Sequence, residues 1–237
     1  MPGKIVVCPL PDRDFDVTEV AVPWKVITRA GHRVVFATES GATPAADPLL
    51  LDGVLFGQLG AEPEPKAFYR ELEKTPEFTK PETWDAVDPE RADALLLPGG
   101  HAPGMRQYLG SEALQARVRR FFDSGKPVAA ICHGVLVAAR AGALEGRTTT
   151  CLPKYMERSA YWLTAWKLGR YYRTYPAYVE EEVRAHGARF ERGPTHLMTR
   201  GTDEDDRAAF VVEDGAYVSA RWPGDAYAFA KALVAKL

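Results

Sequence analysis

Short β-branched runs that alternate with amphipathic helical patterns predict an α/β protein. Its centre is a doubly wound, mostly parallel sheet with helices on both faces and an inserted lid segment. Three observations carry this expectation. The runs KIVVCPL, RVVFATE, ADALLLPGG and KPVAAIC are short, apolar and bounded by Gly or Pro. Helical periodicity lies between them. A closing amphipathic helix, GDAYAFAKALVAKL, ends the chain.

Taken in order, KIVVCPL is the first strand. Residues 17–30 follow as a helix, with Val20, Trp24 and Ile27 on one face and Gly31 placed to end it. RVVFATE, ADALLLPGG and KPVAAIC are the second, third and fourth strands, and a helix from about Glu112 to Asp123 joins the last two. AAFVVEDGAYVSAR reads as a hairpin turning at Glu213, Asp214 and Gly215. Two segments depart from plain alternation. Residues 41–90 are rich in Pro, Gly and Glu and carry one good helix, around PKAFYRELEK, so they read as an insertion over the sheet edge. Residues 153–192 hold the densest aromatic stretch and are too long and too helical for a simple connection. The whole of 1–237 is read as one domain carrying these two insertions.

Composition excludes several function classes. The chain has 237 residues, 46% hydrophobic and 26% charged, enough to bury a full core. Its formal net charge of −2 argues against a nucleic-acid partner. No apolar run approaches the roughly 18 residues of a membrane span, and the N-terminus reads as no signal peptide, so a cytoplasmic protein without a membrane partner is expected. Cys8, Cys132 and Cys151 are too few and too scattered for a disulfide framework or a zinc site. His101, His186 and His196 have no metal-ligand spacing with other His or Cys, so no metal and no cofactor is expected.

The chemistry concentrates where strands end. In an open parallel sheet the carboxyl ends of the strands open onto the ligand crevice, and Cys132 stands at such an end, with the helical GVLVAARAG following at once. That is a strand-to-helix turn of the nucleophile-elbow kind. A helix N-terminus there favours thiolate over thiol and lowers a cysteine pKa. The same position also suits a small core cysteine. In LLLPGGHAPG, Gly99 and Gly100 let backbone N–H groups approach a ligand, as an oxyanion hole requires, or form an ordinary Gly-rich turn. Glu19, near the start of the first helix, is placed to project into the same crevice. Asp16 with Glu19 three residues later is equally a capping box, and Pro23, which sits best in a first turn, would move the helix start downstream.

The segments DVTEVAVPWKVITRAGHRVVFAT, ADALLLPGGHAPG, GKPVAAICHG and SARWPGDAYAFAKAL resemble the ThiJ/PfpI superfamily, and AAICHG is a close match. The resemblance implies a flavodoxin-like fold. The insertion after the second strand and Gly-Gly-His in the loop look most like the branch of heat-shock chaperones and glyoxalase III enzymes. By resemblance Cys132 is the nucleophile, Glu19 the carboxyl group touching its sulfur and His133 the neighbouring base. Gly100 and His133 would supply the oxyanion N–H groups, with Gly99 and His101 in the substrate loop. Glu157, in TCLPKYME, falls where a further acid can orient the histidine, and is otherwise a solvated charge on a helix.

The implied activity is cofactor-independent conversion of small 2-oxoaldehydes, such as methylglyoxal to lactate, by a homodimer. An amidase or peptidase-type hydrolase and a stress chaperone or oxidation sensor are the alternatives. Cys151 reads as a core strand cysteine or as a second thiol facing the pocket. The aromatic segment 155–178 is expected to shape the pocket or a dimer contact.

Overall fold

The computed structural model describes residues 3–53, 59–195 and 199–237. In chain order its principal elements are β1 (Ile5–Pro9), α1 (Val17–Arg29), β2 (Arg33–Thr38), α2 (Pro63–Leu72), β3 (Glu82–Thr83), β4 (Ala94–Leu97), α3 (Glu112–Asp123), β5 (Val128–Ile131) and α4 (Val135–Arg140). Then come α5 (Lys154–Leu168), α6 (Val179–Ala185), β6 (Val211–Asp214), β7 (Tyr217–Ala220) and α7 (Ala226–Val234).

The strands form one seven-stranded sheet in the order β6-β7-β5-β4-β1-β2-β3. Every pairing is parallel except the β6–β7 hairpin. β4 and β5 are buried at every residue, which is why ALLL and VAAI carry no polar alternation: helices cover both faces. α1 packs against α7 and α2, and α3 against α4. The helix expected over Glu112 to Asp123 is observed with those bounds, and Ser111 caps it by accepting from Leu114 N–H at 3.2 Å.

Three details differ from expectation. Pro23 lies inside α1 rather than in its first turn, because Asp16 fixes the helix start by accepting from Thr18 and Glu19 N–H at 2.8 and 3.1 Å. The hairpin turns one residue later than expected: Asp214 pairs with Tyr217, leaving Gly215, at φ 62°, and Ala216 as the loop. The insertion at 41–90 does more than cover the sheet edge, since its β3 is the edge strand, paired to β2. His196 lies outside the described residues. No helix among the described residues is long and apolar enough to cross a membrane.

Candidate active site

β1 has β2 on one side and β4 on the other, so the connections leave in opposite directions at the β1/β4 boundary and open a crevice beyond the strand ends. Three loops meet there. Leu97 of β4 is in register with Ala130 of β5, so two residues further on Gly99 comes beside the Cys132 turn. The backbone at residue 99 is so close to the turn that an added Cβ would lie 2.7 Å from His133 N and 3.0 Å from Glu19 Oε2. The β1–α1 loop is laced to the same glycine. Asp16 N–H donates to Gly99 O at 2.8 Å, and Gly99 N–H donates to Glu19 Oε2 at 2.8 Å.

That lacing separates the two readings of Asp16 and Glu19. Asp16 caps the helix, but its own N–H is taken by Gly99, so Glu19 does not close a capping box. Its carboxyl group is fully buried and turned into the crevice. Among the described residues Oε1 has no hydrogen-bond partner, and the carboxyl group lies near enough to the Cys132 thiol to raise that thiol's pKa.

Cys132 adopts φ 57°, a left-handed conformation that side chains other than glycine rarely hold. A 3-10 turn over Cys132–Gly134 then leads into α4. The charge state differs from expectation. Burial, and next the carboxyl groups of Glu19 and Asp16, push the Cys132 thiol well above its ordinary value. Burial likewise raises Glu19 well above the carboxylate range. The His133 N–H, which donates to the sulfur, acts the other way but is outweighed. A short helix start does not overcome desolvation and two neighbouring acids, so the Glu19–Cys132 pair holds at most one negative charge.

His133 Nδ1 lies 3.5 Å from the Cys132 sulfur, and its Nε2 has no hydrogen-bond partner among the described residues. His101 packs edge-on against His133, with ring centroids 4.5 Å apart, and both contact the aromatic segment through Tyr172 and Tyr175. Burial keeps both imidazoles neutral, His101 being pushed down to about 4. Gly100 packs tightly enough that a Cβ would meet Asp14 O at 2.7 Å.

Glu157 corrects both of its readings. It is neither solvated, at 2% exposure, nor an orienting acid for His133. Its Oε2 accepts from Val179 N–H at 3.1 Å, at the start of α6, and its Oε1 faces Arg173 at 4.0 Å. Burial pushes its carboxyl up to about 7. A carboxyl raised above its unfolded value adds no penalty below about pH 4.5, where both states are protonated. It costs stability progressively up to pH 7, by about 3 kcal/mol. Relative to Glu157→Gln, the wild type is therefore expected to lose up to about 3 kcal/mol between pH 5 and pH 8. Urea unfolding of both proteins at the two pH values measures this, and a constant difference would contradict the assignment.

A cavity of about 350 Å³ adjoins these loops. Its wall includes Asp16, His101, Glu157, Tyr172, Arg200 and Trp222. Cys132 and Cys151 do not line it; Cys151 is a core residue just beyond a two-residue bridge rather than within a strand. Burial raises Asp16 to about 6 while the nearby Arg200 charge pulls it back. Beside Trp222 a buried ion pair joins Arg221 to Asp225 at 2.8 Å, and Asp225 N–H donates to Trp222 O at 2.9 Å. Trp222 follows the end of β7 by two residues, whereas Arg200 is far from any strand of the sheet in sequence and carries no local signal of this role. Among the described residues no group of three or more His, Cys, Asp or Glu could hold a metal ion.

The comparison that decides the family follows from these loops. The family model described as ThiJ/PfpI family-like matches residues 10–194, which contain every one of them. The chain belongs to the ThiJ/PfpI family. Deglycase PfpI of Pyrococcus furiosus is 34% identical to this ThiJ/PfpI protein over 152 residues, 64% of this chain and 66% of that one. A deglycase of Pyrococcus abyssi is 28% identical over 220 residues, 93% of this chain and 92% of that one. The chain spans 60 to 66% of the length of several curated relatives it matches. The crystal structure of glyoxalase III from Candida albicans superposes with a TM-score of 0.70 at 19% identity, covering 99% of this chain and 97% of the other. That likeness shows the flavodoxin-like fold.

Proposed function

We propose that this ThiJ/PfpI protein is a cysteine enzyme that converts 2-oxoaldehydes to 2-hydroxy acids without an added cofactor, in the manner of a glyoxalase III or deglycase. The observation that carries the reading is Cys132, strained at φ 57° with the Glu19 carboxyl group against its thiol. Relatives named as deglycases and a structural neighbour named as glyoxalase III support it.

The sulfur adds to the aldehyde carbon, forming one C–S bond, and the thiol proton passes by way of Glu19 to the new oxygen. Backbone N–H groups of Gly100 and His133 would face that oxygen as its charge develops. Glu19 then takes the proton from the former aldehyde carbon and returns it to the neighbouring carbon, while the hydroxyl proton on the former aldehyde oxygen moves to the neighbouring keto oxygen. This leaves a 2-hydroxy thioester with no net redox change, and water cleaves it to regenerate the thiol. His133, neutral and with an Nε2 that has no partner among the described residues, is available to accept a proton from that water. A hydrolase with a Cys-His-acid relay is less well supported, because among the described residues no acid bonds to His133 Nε2.

The test is incubation of the purified protein with methylglyoxal in the absence of glutathione, with lactate followed by NMR. Wild type is expected to form lactate stoichiometrically with aldehyde consumed. Consumption without lactate would sink the reading.

One observation favours a second, chaperone-like reading. Trp162, Leu163 and Trp166 on α5 are 70, 64 and 76% exposed, an unusual grouping of large apolar side chains in water. A client-holding role predicts that Trp162→Ser with Trp166→Ser weakens suppression of a model client's aggregation. Unchanged suppression would rule that role out.

A further inference from the structure

The cavity beside the crevice is far larger than a methyl group requires. At about 350 Å³ it falls within the range of about 300–1,000 Å³ typical of pockets that enclose drug-sized ligands. Its wall is mainly apolar, formed by side chains such as Leu50, Leu152, Met156 and Trp222. Two of its lining residues, His101 and Tyr155, carry a buried polar atom, Nδ1 and the hydroxyl, with no partner among the described residues. Water retained beside an apolar ligand can supply those hydrogen bonds, so the two atoms do not by themselves select the ligand.

His101 stands between the cavity and the chemistry. That residue both lines the cavity and lies edge-on against His133, whose own Nδ1 faces the reactive sulfur. At the α1 side, Asp16 and Thr18 line the cavity one residue or one turn from Glu19. A substrate with its dicarbonyl end at Cys132 and a substituent long enough to pass the His101 ring would place that substituent in the apolar chamber.

We infer that the preferred substrates are 2-oxoaldehydes whose keto carbon carries an aryl ring or a long alkyl chain, with that substituent buried in the cavity beside His101, Met156 and Trp222. The inference rests on the 2-oxoaldehyde reading above. Each additional methylene buried in an apolar wall favours binding by roughly fourfold. Several of them give a selectivity well beyond tenfold.

The test compares kcat/KM for methylglyoxal, 2-oxooctanal and phenylglyoxal in wild type, Ala160→Trp and Leu163→Asp. Ala160 and Leu163 both line the cavity, and Leu163 is exposed enough that a charge there leaves folding intact. Wild type is expected to favour the two larger aldehydes over methylglyoxal by at least tenfold, and each variant to lower that ratio by tenfold or more. Equal kcat/KM for all three aldehydes, or a ratio unmoved in both variants, would overturn the inference. If no aldehyde is turned over, the 2-oxoaldehyde reading fails, and calorimetry with 2-hydroxyoctanoate and lactate decides the cavity separately. Tenfold tighter binding of 2-hydroxyoctanoate, lost in Leu163→Asp, supports an apolar-substituent site; equal binding of the two acids refutes it.

Discussion

Glu19→Gln is expected to lower kcat for 2-oxoaldehyde conversion by about 10²- to 10⁴-fold, the usual contribution of a positioned acid–base group. The amide can still accept from Gly99 N–H, so the loop lacing and the fold should persist while proton transfer between the two carbons stops. Cys132→Ser is expected to remove the activity altogether, because a buried hydroxyl has neither the nucleophilicity nor the proton lability of the thiol. Steady-state kinetics on the two variants, with circular dichroism to show retained structure, checks both. A Glu19→Gln protein with full kcat would leave the carboxyl group as no more than a hydrogen-bond anchor for Gly99.

The second large effect is expected in stability. Gly134→Ala should destabilise the protein by about 3 kcal/mol or more, at the upper end of overpacking costs. An added Cβ would lie 2.2 Å from Leu97 O and 2.6 Å from Pro98 O, and these are backbone atoms that cannot rotate away. Glycine is needed here for close approach rather than for conformation, since β4 and the cysteine turn touch at this residue. Denaturant unfolding measures the loss, which should come with reduced activity as Gly99 is pushed from Cys132. A variant as stable as wild type would mean that the two loops are not packed as described.

Much of this arrangement was legible in the sequence, and the reason is local chemistry. Val-Ala-Ala-Ile and Ala-Leu-Leu-Leu have no polar alternation, which marks central parallel strands, and a cysteine directly after one of them falls at the crevice. Glu19 was ambiguous because a capping box and a catalytic acid share the same spacing. Only the Asp16 N–H to Gly99 O bond, made across the chain, separates them. Glu157 misled because its burial comes from α6 packing over the start of α5, a tertiary event with no periodic signature. The thiol's charge state misled for a related reason. The helix-start effect is readable locally, whereas the burial that outweighs it is set by the whole fold. Arg200 reaches the cavity through topology alone.

The central claim is that Cys132 bonds covalently to substrate with Glu19 moving the protons. It is tested most directly by rapid acid quench of the wild-type protein during turnover of a 2-oxoaldehyde, which preserves a thioester, followed by intact mass measurement and peptide mapping at acid pH, with Glu19→Gln as the variant that should not accumulate that thioester. The expected result is a mass increase of one substrate molecule carried by the peptide containing Cys132 and absent from Cys132→Ser. Adducts confined to arginine or lysine side chains, or turnover that survives alkylation of Cys132, would contradict the account.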